Sequence, residues 1–232
     1  MTALSQSLRA ARNRGIVPVI PDFKMISPEC GPLFSGRDPV EWACRMESLG
    51  APALSVVTEE TEFGGSLSLL RRIASAVNIP VLRKDFITCE ADLAATVEAG
   101  GKAVLLICAC LDEAQTHQLY HASLALGLEP LVEAHNEREL ELAKRLGARL
   151  VGINNRDILA LEKDGGTVAT TGRLASHKPM GALLVSESGI LTTDDAREAI
   201  AAGADALLVG TAVWRAKDPA EFYRALCEAR KT

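Results

Sequence analysis

The chain has 232 residues, 48% of them hydrophobic and only 4% aromatic, and a formal net charge of −5. This length suits one large α/β domain, and the scarcity of aromatic residues argues against an aromatic-rich β-sandwich. The acidic and basic residues are spread without a basic block, which argues against a nucleic-acid-binding protein.

The cysteines and the N-terminal region point to a reduced, soluble protein. The six cysteines form no CxxC pair and share no ligand spacing with histidine, so we expect free thiols and neither a disulfide framework nor a metal site. The longest apolar run, Val104 to Leu111, is far shorter than the ~20 residues of a membrane helix. Residues 1–15 lack a signal-peptide core, and the spacing of Leu4, Leu8 and Ala11 predicts a short amphipathic helix. We therefore expect a cytoplasmic protein.

Short apolar runs recur along the chain about 20 to 30 residues apart. Their Val, Ile and Leu content is nearly continuous, which is typical of parallel strands that are buried on both faces. The predicted strands are Val17–Phe23, Ala53–Val57, Val81–Phe86, Ala103–Cys108, Glu129–Glu133, Leu150–Asn154, Ala182–Ser186 and Ala206–Val209.

Helix-capping residues and terminal glycines lie between these runs and predict helices there. The predicted helices run from Asp38 to Leu49, from Ser66 to Val77, from Thr88 to Gly100, from Asn136 to Gly147 and from Thr192 to Gly203. A further, weaker helix pattern covers residues 166–178.

Alternating strands and helices fit either a closed barrel or an open, doubly wound sheet. Polar residues follow at least seven of the eight strands, as in a (β/α)8 barrel, whose active site lies at the carboxyl ends of the strands. No GxGxxG sequence follows the first strand, where a dinucleotide-binding sheet would carry one. We therefore predict a (β/α)8 barrel that forms a single domain over residues 1–232.

Charged residues at the ends of strands 1, 3 and 5 are candidates for chemistry. Asp22 and Lys24 are two residues apart, so they point to the same side of a strand, and the alternative is a structural ion pair. With Lys84 after strand 3, two cations could hold a carboxylate, a phosphate or a developing oxyanion. Glu133 ends strand 5, although a solvent-facing carboxylate at a turn is the alternative. We expect His135 to be a helix-entry residue rather than a catalyst.

Strands 6, 7 and 8 end in turns that suit an anionic ligand. Gly152 to Asp157 is rich in hydrogen-bonding groups, and an ordinary Asn/Asp turn explains Asn155 and Asp157 but not Asn154 and Arg156. Glycines follow strand 7 in Ser186-Glu187-Ser188-Gly189-Ile190 and strand 8 in Val209-Gly210-Thr211-Ala212. The loops after strands 7 and 8 are the usual phosphate site of such barrels, so we predict a phosphorylated ligand.

Several motifs in this order resemble those of the indole-3-glycerol-phosphate synthase family. The likeness extends from about Leu8 to Leu226, in a form shortened at the N-terminus. The motifs that carry it are SPECG from Ser27, FGGS from Phe63, PVLRKDF from Pro80, LLI from Leu105, EPLVE from Glu129, GINNRD from Gly152, SESGI from Ser186 and VGTA from Val209. The family closes the indole ring of a carboxyphenylamino-deoxyribulose phosphate, with loss of CO2 and water and without a cofactor.

The resemblance also implies roles for individual residues. Lys84 is implied as the general acid of ring closure, with Glu133 as its acid/base partner. Lys24 is implied to contact the substrate carboxylate and to assist the later dehydration. The other implied positions are Asn154, Glu187 and Ser188 at the reacting sugar, Ser27, Gly189, Gly210 and Thr211 at the phosphate, and Pro28, Phe63, Phe86, Leu105, Arg156 and Leu161 around the anthranilate ring.

The first strand departs from the family pattern. The family has Glu in an AEIK-like segment where this chain has Pro21-Asp22-Phe23-Lys24, and Asp22 is therefore included in the catalytic set. An SPSKG-like loop is here SPECG, so Glu29 adds a negative charge near the expected anion site.

Three functions remain open from the sequence. The first is the synthase reaction. The second is isomerisation of another phosphosugar, or its cleavage through a Schiff base at Lys84. The third is a barrel that binds a phosphorylated ligand without catalysis, against which the full acid/base set argues. We expect a phosphorylated small-molecule substrate, no nucleic-acid or membrane partner, and a monomer or weak homo-oligomer.

Overall fold

The computed structural model describes residues 3–156 and 167–229, and its core is a closed barrel of eight parallel strands. Each strand pairs with its neighbours in sequence, and the first strand closes the barrel by pairing with the last. The strands are β1 (Val19–Phe23), β2 (Leu54–Val57), β3 (Val81–Lys84), β4 (Ala103–Ile107), β5 (Glu129–Ala134), β6 (Leu150–Asn154), β7 (Leu183–Glu187) and β8 (Ala206–Val209). The predicted (β/α)8 barrel is thereby confirmed.

Helices surround the barrel and also lie at its ends. They are α1 (Leu4–Asn13), α2 (Pro39–Ser48), α3 (Leu67–Ala76), α4 (Glu90–Glu98), α5 (Glu113–Ala125), α6 (Glu137–Arg145), α7 (Ala169–Leu174), α8 (Thr193–Ala201), α9 (Thr211–Arg215) and α10 (Pro219–Cys227). Three-residue 3-10 turns follow β4 and α7. None of the helices in the described ranges is both long and apolar enough to cross a membrane.

Side chains alternate along each strand between the barrel interior and the helical layer. Outward-facing residues such as Val19 and Val151 pack with helix residues in two large apolar clusters. Inward-facing residues change from apolar to polar along the strand. On each of β1, β3, β5 and β7, a charged residue lies two positions after an interior apolar residue. These charged residues are Asp22, Lys84, Glu133 and Glu187. The strand pattern therefore brings these four side chains to one end of the barrel.

Helix α1 covers the opposite, amino end of the barrel. Its Leu4 and Leu8 are fully buried and belong to the apolar cluster that fills the barrel interior. The backbone N–H of Ser5 donates to Glu129 at 2.8 Å, and the Arg9 guanidinium donates to the carbonyl of Gly181 at 2.7 Å. Because Gly181 and Glu129 lie at the start of strands, these contacts anchor α1 to the amino end. The predicted N-terminal amphipathic helix is confirmed.

Predicted and observed strand limits agree to within two residues. Strand β1 begins at Val19 instead of Val17, and β3 ends at Lys84 instead of Phe86. Side chains cap α2, α3, α6 and α8 at the residues that the sequence indicates, namely Asp38, Ser66, Asn136 and Thr192. Helix α4 begins after Cys89 instead of Thr88, because the Asp92 carboxylate accepts from both backbone N–H groups.

Candidate active site

Polar side chains form a ring at the carboxyl ends of the strands. Except for Lys84, which is partly buried, each member of the ring is at most 4% exposed. The ring is formed by Asp22, Lys24, Lys84, Glu133, Asn154 and Glu187. Because isolated buried charge is unfavourable, the three carboxyls and two ammonium groups need one another or a bound ligand.

Asp22 is held by its neighbours on β2 and by helix α9. Ser55 lies beside it in the β1–β2 register, and the Ser55 hydroxyl donates to Asp22 Oδ1 at 2.6 Å. The Trp214 indole N–H donates to the backbone carbonyl of Asp22 at 2.6 Å. A β-carbon added at Gly210 would lie 3.3 Å from Asp22 Oδ2. Asp22 therefore occupies a closely fitted position.

Lys84 and Arg83 point to opposite sides of β3. The Arg83 guanidinium lies in the helical layer, where it donates to Thr58 Oγ1 at 2.8 Å and pairs with Asp85 Oδ2 at 2.8 Å. It also donates to the backbone carbonyl of Asp92 in α4 at 2.8 Å. These contacts fasten the end of β3 from outside the barrel, so that Lys84 points into the mouth.

Glu133 is fully buried and contacts β6 and the residue that follows β5. The Asn154 amide donates to Glu133 Oε1 at 3.3 Å. His135 Nε2 lies 3.3 Å from the same oxygen, at ion-pair distance but without full hydrogen-bond geometry. On its other side, His135 Nδ1 lies 3.2 Å from Glu139 Oε2. His135 is thus a helix-entry residue, as predicted, and also a direct neighbour of Glu133.

Glu187 is also fully buried, and neither of its carboxyl oxygens has a hydrogen-bond partner among the described residues. Burial raises its pKa well above the ordinary value of 4.5, and the negative charge of Glu133 adds to this shift. Lys84 acts in the opposite direction but does not cancel the increase. Gly152 makes room for the carboxyl, because a β-carbon there would lie 1.9 Å from Glu187 Oε1.

Ser188 and Gly189 form a turn with left-handed backbone, with φ of 62° and 68°. Ser188 is the only non-glycine residue with positive φ in residues 3–156 and 167–229, and such strain is often found at functional sites. The Asn155 amide stabilises the turn by donating to the carbonyls of Glu187 at 2.9 Å and Ser188 at 3.1 Å. Thr171 in turn donates to Asn155 Oδ1 through both its N–H and its hydroxyl.

Two adjacent cavities meet at Lys84. The first is polar, and its lining includes Asp22, Lys24, Lys84, Arg156, Ser188, Gly189, Gly210 and Thr211. The second is mainly apolar, and its lining includes Phe63, Lys84, Phe86, Leu105 and Ile107. The lining residues suit an anionic group in the first cavity and an aromatic group in the second, and Lys84 belongs to both linings.

The remaining predicted residues lie in different surroundings. Ser27 is buried, and its hydroxyl accepts from the backbone N–H of Cys30 at 3.4 Å. Neither Ser27 nor Pro28 lines either cavity. Arg156 lines the polar cavity instead of the apolar one, and it lies 3.7 Å from Glu29. Leu161 lies outside the described residues.

Sequence reasoning missed three residues that support this site. Ser55 and Asn155 act through contacts with distant strands, and His135 through its contact with Glu133. The only feature of the sequence that pointed to Asn155 was its place in the INNRD turn. An asparagine is common in such a turn, so its role at the site was not recognised. Within residues 3–156 and 167–229, no three His, Cys, Asp or Glu side chains are grouped as metal ligands.

Comparison with known proteins agrees with the geometry of the mouth. The family model described as indole-3-glycerol phosphate synthase matches residues 1–226. The chain is 41% identical to the indole-3-glycerol phosphate synthase of Pyrococcus furiosus, with 97% of each sequence covered. It is equally identical to that of Thermococcus kodakarensis, also with 97% of each covered. It is 42% identical to that of Streptococcus gordonii, covering 90% of this chain and 80% of the relative. The chain belongs to the indole-3-glycerol phosphate synthase family.

Proposed function

We propose that the residues of the barrel mouth convert 1-(2-carboxyphenylamino)-1-deoxyribulose 5-phosphate to indole-3-glycerol phosphate. The aromatic carbon that bears the carboxylate attacks the ketone carbon of the sugar chain, and the ketone oxygen takes a proton. CO2 then leaves the ring, which restores its aromaticity. Finally the new hydroxyl departs as water, with a proton lost from the new five-membered ring. The balance is one substrate to one product, one CO2 and one water.

The position of Lys84 between the polar and the apolar cavity is the observation that carries this proposal. The substrate has a phosphate at one end, an aromatic ring at the other and a ketone between them. With the phosphate in the polar cavity and the ring in the apolar cavity, the ketone comes to the Lys84 ammonium. Lys84 can then donate the proton that the ketone oxygen needs as it becomes a hydroxyl.

Glu133 is the proposed acid/base partner of Lys84. It lies on β5, paired in register with Gly152 of β6, and it contacts the Asn154 amide. A carboxylate in a dry mouth can take the proton that leaves the new ring during dehydration. Glu187, whose pKa is raised by burial, is suited to donate a hydrogen bond to a sugar hydroxyl.

Lys24 is proposed to hold the substrate carboxylate and to assist departure of the hydroxyl. Its ammonium lines the polar cavity and lies 5.4 Å from the centroid of the Phe63 ring, which lines the apolar cavity. An ammonium there lies near both the carboxylate and the ring that bears it. Asp22, beside Lys24 in the same cavity, completes the proposed catalytic set.

The phosphate is proposed to lie against the turns after β7 and β8. Ser188, Gly189, Gly210 and Thr211 line the polar cavity there, and glycines allow backbone N–H groups to approach an anion closely. Ser27 remains a proposed member of this set. Arg156 lines the same cavity and lies 3.7 Å from Glu29.

The aromatic half of the substrate is proposed to lie against Phe63, Phe86 and Leu105, which line the apolar cavity. Pro28 and Leu161 remain proposals from the family resemblance. We further propose that residues 1–232 form one domain that works in the cytoplasm as a monomer or weak homo-oligomer. The six cysteines support a reducing compartment, because all are free thiols.

The test is a fluorescence assay for indole-3-glycerol phosphate with the purified chain, its Lys84→Met variant and a surface control, Lys144→Met. Lys144 is more than half exposed on α6. We expect product from the unaltered chain and from the control. We expect at least a ~10²-fold lower kcat for Lys84→Met, because a positioned general acid contributes roughly 10²- to 10⁴-fold.

Two results would contradict the proposal. Near-normal turnover of a folded Lys84→Met variant would remove Lys84 from its role. Absence of product from the unaltered chain, together with an adduct trapped by borohydride, would indicate a Schiff-base lyase instead.

A further inference from the structure

We propose that His135 is a positively charged positioning residue, which holds the Glu133 carboxylate in the barrel mouth through a Glu139–His135–Glu133 chain. The inference rests on the proposed acid/base role of Glu133. His135 itself is not assigned a contact with substrate.

The chain of contacts begins at the first turn of α6, where Glu139 is fixed. Asn136 caps the helix by accepting from the Glu139 N–H at 3.0 Å, and its amide donates to Glu139 Oε1 at 2.6 Å. Glu139 Oε2 accepts from the backbone N–H of His135 at 2.8 Å. These contacts hold the Glu139 carboxylate in place without any contribution from the His135 ring.

The His135 ring bridges from this fixed carboxylate to the barrel interior. Its Nδ1 lies 3.2 Å from Glu139 Oε2, and its Nε2 lies 3.3 Å from Glu133 Oε1. A neutral imidazole carries one N–H, whereas the protonated ring can direct an N–H toward each carboxylate. His135 directly follows β5, so its ring lies beside Glu133 at the carboxyl end of that strand.

Charges around the ring favour the protonated form. Burial alone disfavours the charge, but the contacts with Glu133 and Glu139 outweigh burial and raise the pKa of His135 to about 10. Cys108 and Cys110 lie in the turn after β4, and burial raises the pKa of both thiols, to about 12 for Cys108. The positive charge of His135 also acts on Glu187 of β7, where it opposes the increase in the Glu187 pKa.

A purely structural role does not account for the direction of the ring. Asn136 caps helix α6, and Glu139 accepts from the His135 backbone N–H and from the Asn136 amide. None of these contacts uses a nitrogen of the His135 ring. The ring's second nitrogen instead faces a fully buried carboxylate on the inside of the barrel. Unpaired buried carboxylates are costly, so a fixed cation there can hold the Glu133 carboxylate in position where the reaction needs a base.

The experiment compares the unaltered chain with His135→Gln, Glu139→Gln and a matched control, His117→Gln, over a range of pH. His117 is exposed on α5. Glutamine at position 139 keeps the backbone N–H that donates to Asn136 and one acceptor oxygen for the His135 N–H, but it carries no charge. Turnover of the unaltered chain is measured first, so that failure of the proposed function is recognised separately.

We expect His135→Gln to lower kcat by roughly 10- to 100-fold, as for a modest misplacement of a reacting group, with KM changed less than about threefold. The acidic limb of the pH profile of kcat should move to higher pH, because a cation near the proposed base is lost. Glu139→Gln should give a smaller change in the same direction, and His117→Gln none. A lower melting temperature with unchanged kcat and pH profile would overturn the proposal.

A second measurement keeps the inference testable even where His135→Gln folds poorly. NMR of the imidazole nitrogens in the unaltered chain should show His135 protonated at pH 8, and Glu139→Gln should lower the pH at which this ring titrates. A His135 ring that is neutral at pH 8 in the unaltered chain would overturn the inference without reference to activity.

Discussion

Asp22 stands where the family pattern has Glu, which is one methylene longer. The contacts around Asp22 fit the shorter side chain. Ser55 donates to one carboxylate oxygen at 2.6 Å, and a β-carbon at Gly210 would come within 3.3 Å of the other. The residue is only 4% exposed. An added methylene therefore has to displace the Ser55 contact or push against the turn after β8.

We predict that Asp22→Glu lowers kcat by roughly 10- to 100-fold, because a displacement of about an ångström at a reacting group has effects of this size. Steady-state kinetics with the proposed substrate measure the change. Adding Ser55→Gly to the variant should restore part of the loss by making room for the longer side chain. A clear rise in kcat for Asp22→Glu alone would show that strand β1 is not refitted around the shorter residue.

Glu187 is a buried acid that the fold tolerates at a cost. Its folded-state pKa is raised above the ordinary value of 4.5, so the folded state binds its proton more tightly than the unfolded state does. By linkage, the free energy of unfolding falls as pH rises from about 4.5 toward the folded-state pKa. Glutamine has a similar shape and no such dependence.

We therefore predict that Glu187→Gln becomes progressively more stable relative to the unaltered chain as the pH rises above about 5, while losing activity. Urea unfolding at several pH values gives the difference in the free energy of unfolding. A difference that is independent of pH would mean that Glu187 does not titrate abnormally in the folded protein.

At the scale of elements, β6 and β7 carry complementary residues at one level of the barrel. Val185 on β7 pairs with Gly152 on β6, and the next inward residue of β7, Glu187, leans into the space over the glycine. The absence of a side chain at Gly152 is what admits the Glu187 carboxyl between the strands.

We predict that Gly152→Ala displaces this carboxyl, lowers kcat by about 10²-fold and lowers the free energy of unfolding by about 1–3 kcal/mol. The matched control is Gly172→Ala in α7, where an added β-carbon meets nothing within 4 Å. The control should be neutral or slightly stabilising, since Ala suits a helix better than Gly. Equal activity of the two variants would contradict the proposed crowding at Gly152.

The fold was largely predictable because its signals are local. Uninterrupted Val, Ile and Leu runs identify strands, and capping side chains such as Asp38 and Asn136 identify helix starts. Strand limits were less predictable, because they depend on the partner strand. Lys84 ends β3, where pairing with Val57 of β2 stops, although the sequence pattern predicted a strand as far as Phe86.

The site was predictable only in part, for a related reason. Lys84 and Glu133 were identified as charged residues at the ends of apolar strands, and Glu187 through the family resemblance. The contacts of Ser55 with Asp22 and of Asn155 with Ser188 join residues about 33 positions apart in the chain. No local pattern reports such pairs, and only the barrel register reveals them.

The whole molecule has two chemically different ends. At the amino end, Leu4 and Leu8 of α1 pack into the apolar interior and are fully buried. At the carboxyl end, the same interior positions carry the charged ring. Stability should therefore depend mainly on the first end and catalysis mainly on the second.

We predict that Leu8→Ala lowers the free energy of unfolding by about 2–5 kcal/mol, the usual range for a buried leucine, and leaves kcat and KM nearly unchanged. Leu124→Ala is the control, because Leu124 is 48% exposed on α5. It should change stability by less than about 0.5 kcal/mol. Chemical unfolding and kinetics below the unfolding temperature measure both quantities. A large loss of kcat in folded Leu8→Ala would show that the two ends are coupled.

Helix α1 also closes the amino end of the barrel to substrate and product. Because the middle of the barrel is packed with apolar side chains, ligands reach the site through the carboxyl end. We therefore expect substrate to enter, and CO2, water and the phosphorylated product to leave, at the same end of the barrel. The product must leave the proposed phosphate site before another substrate can bind there. We therefore expect the product to compete with the substrate and to slow its own formation.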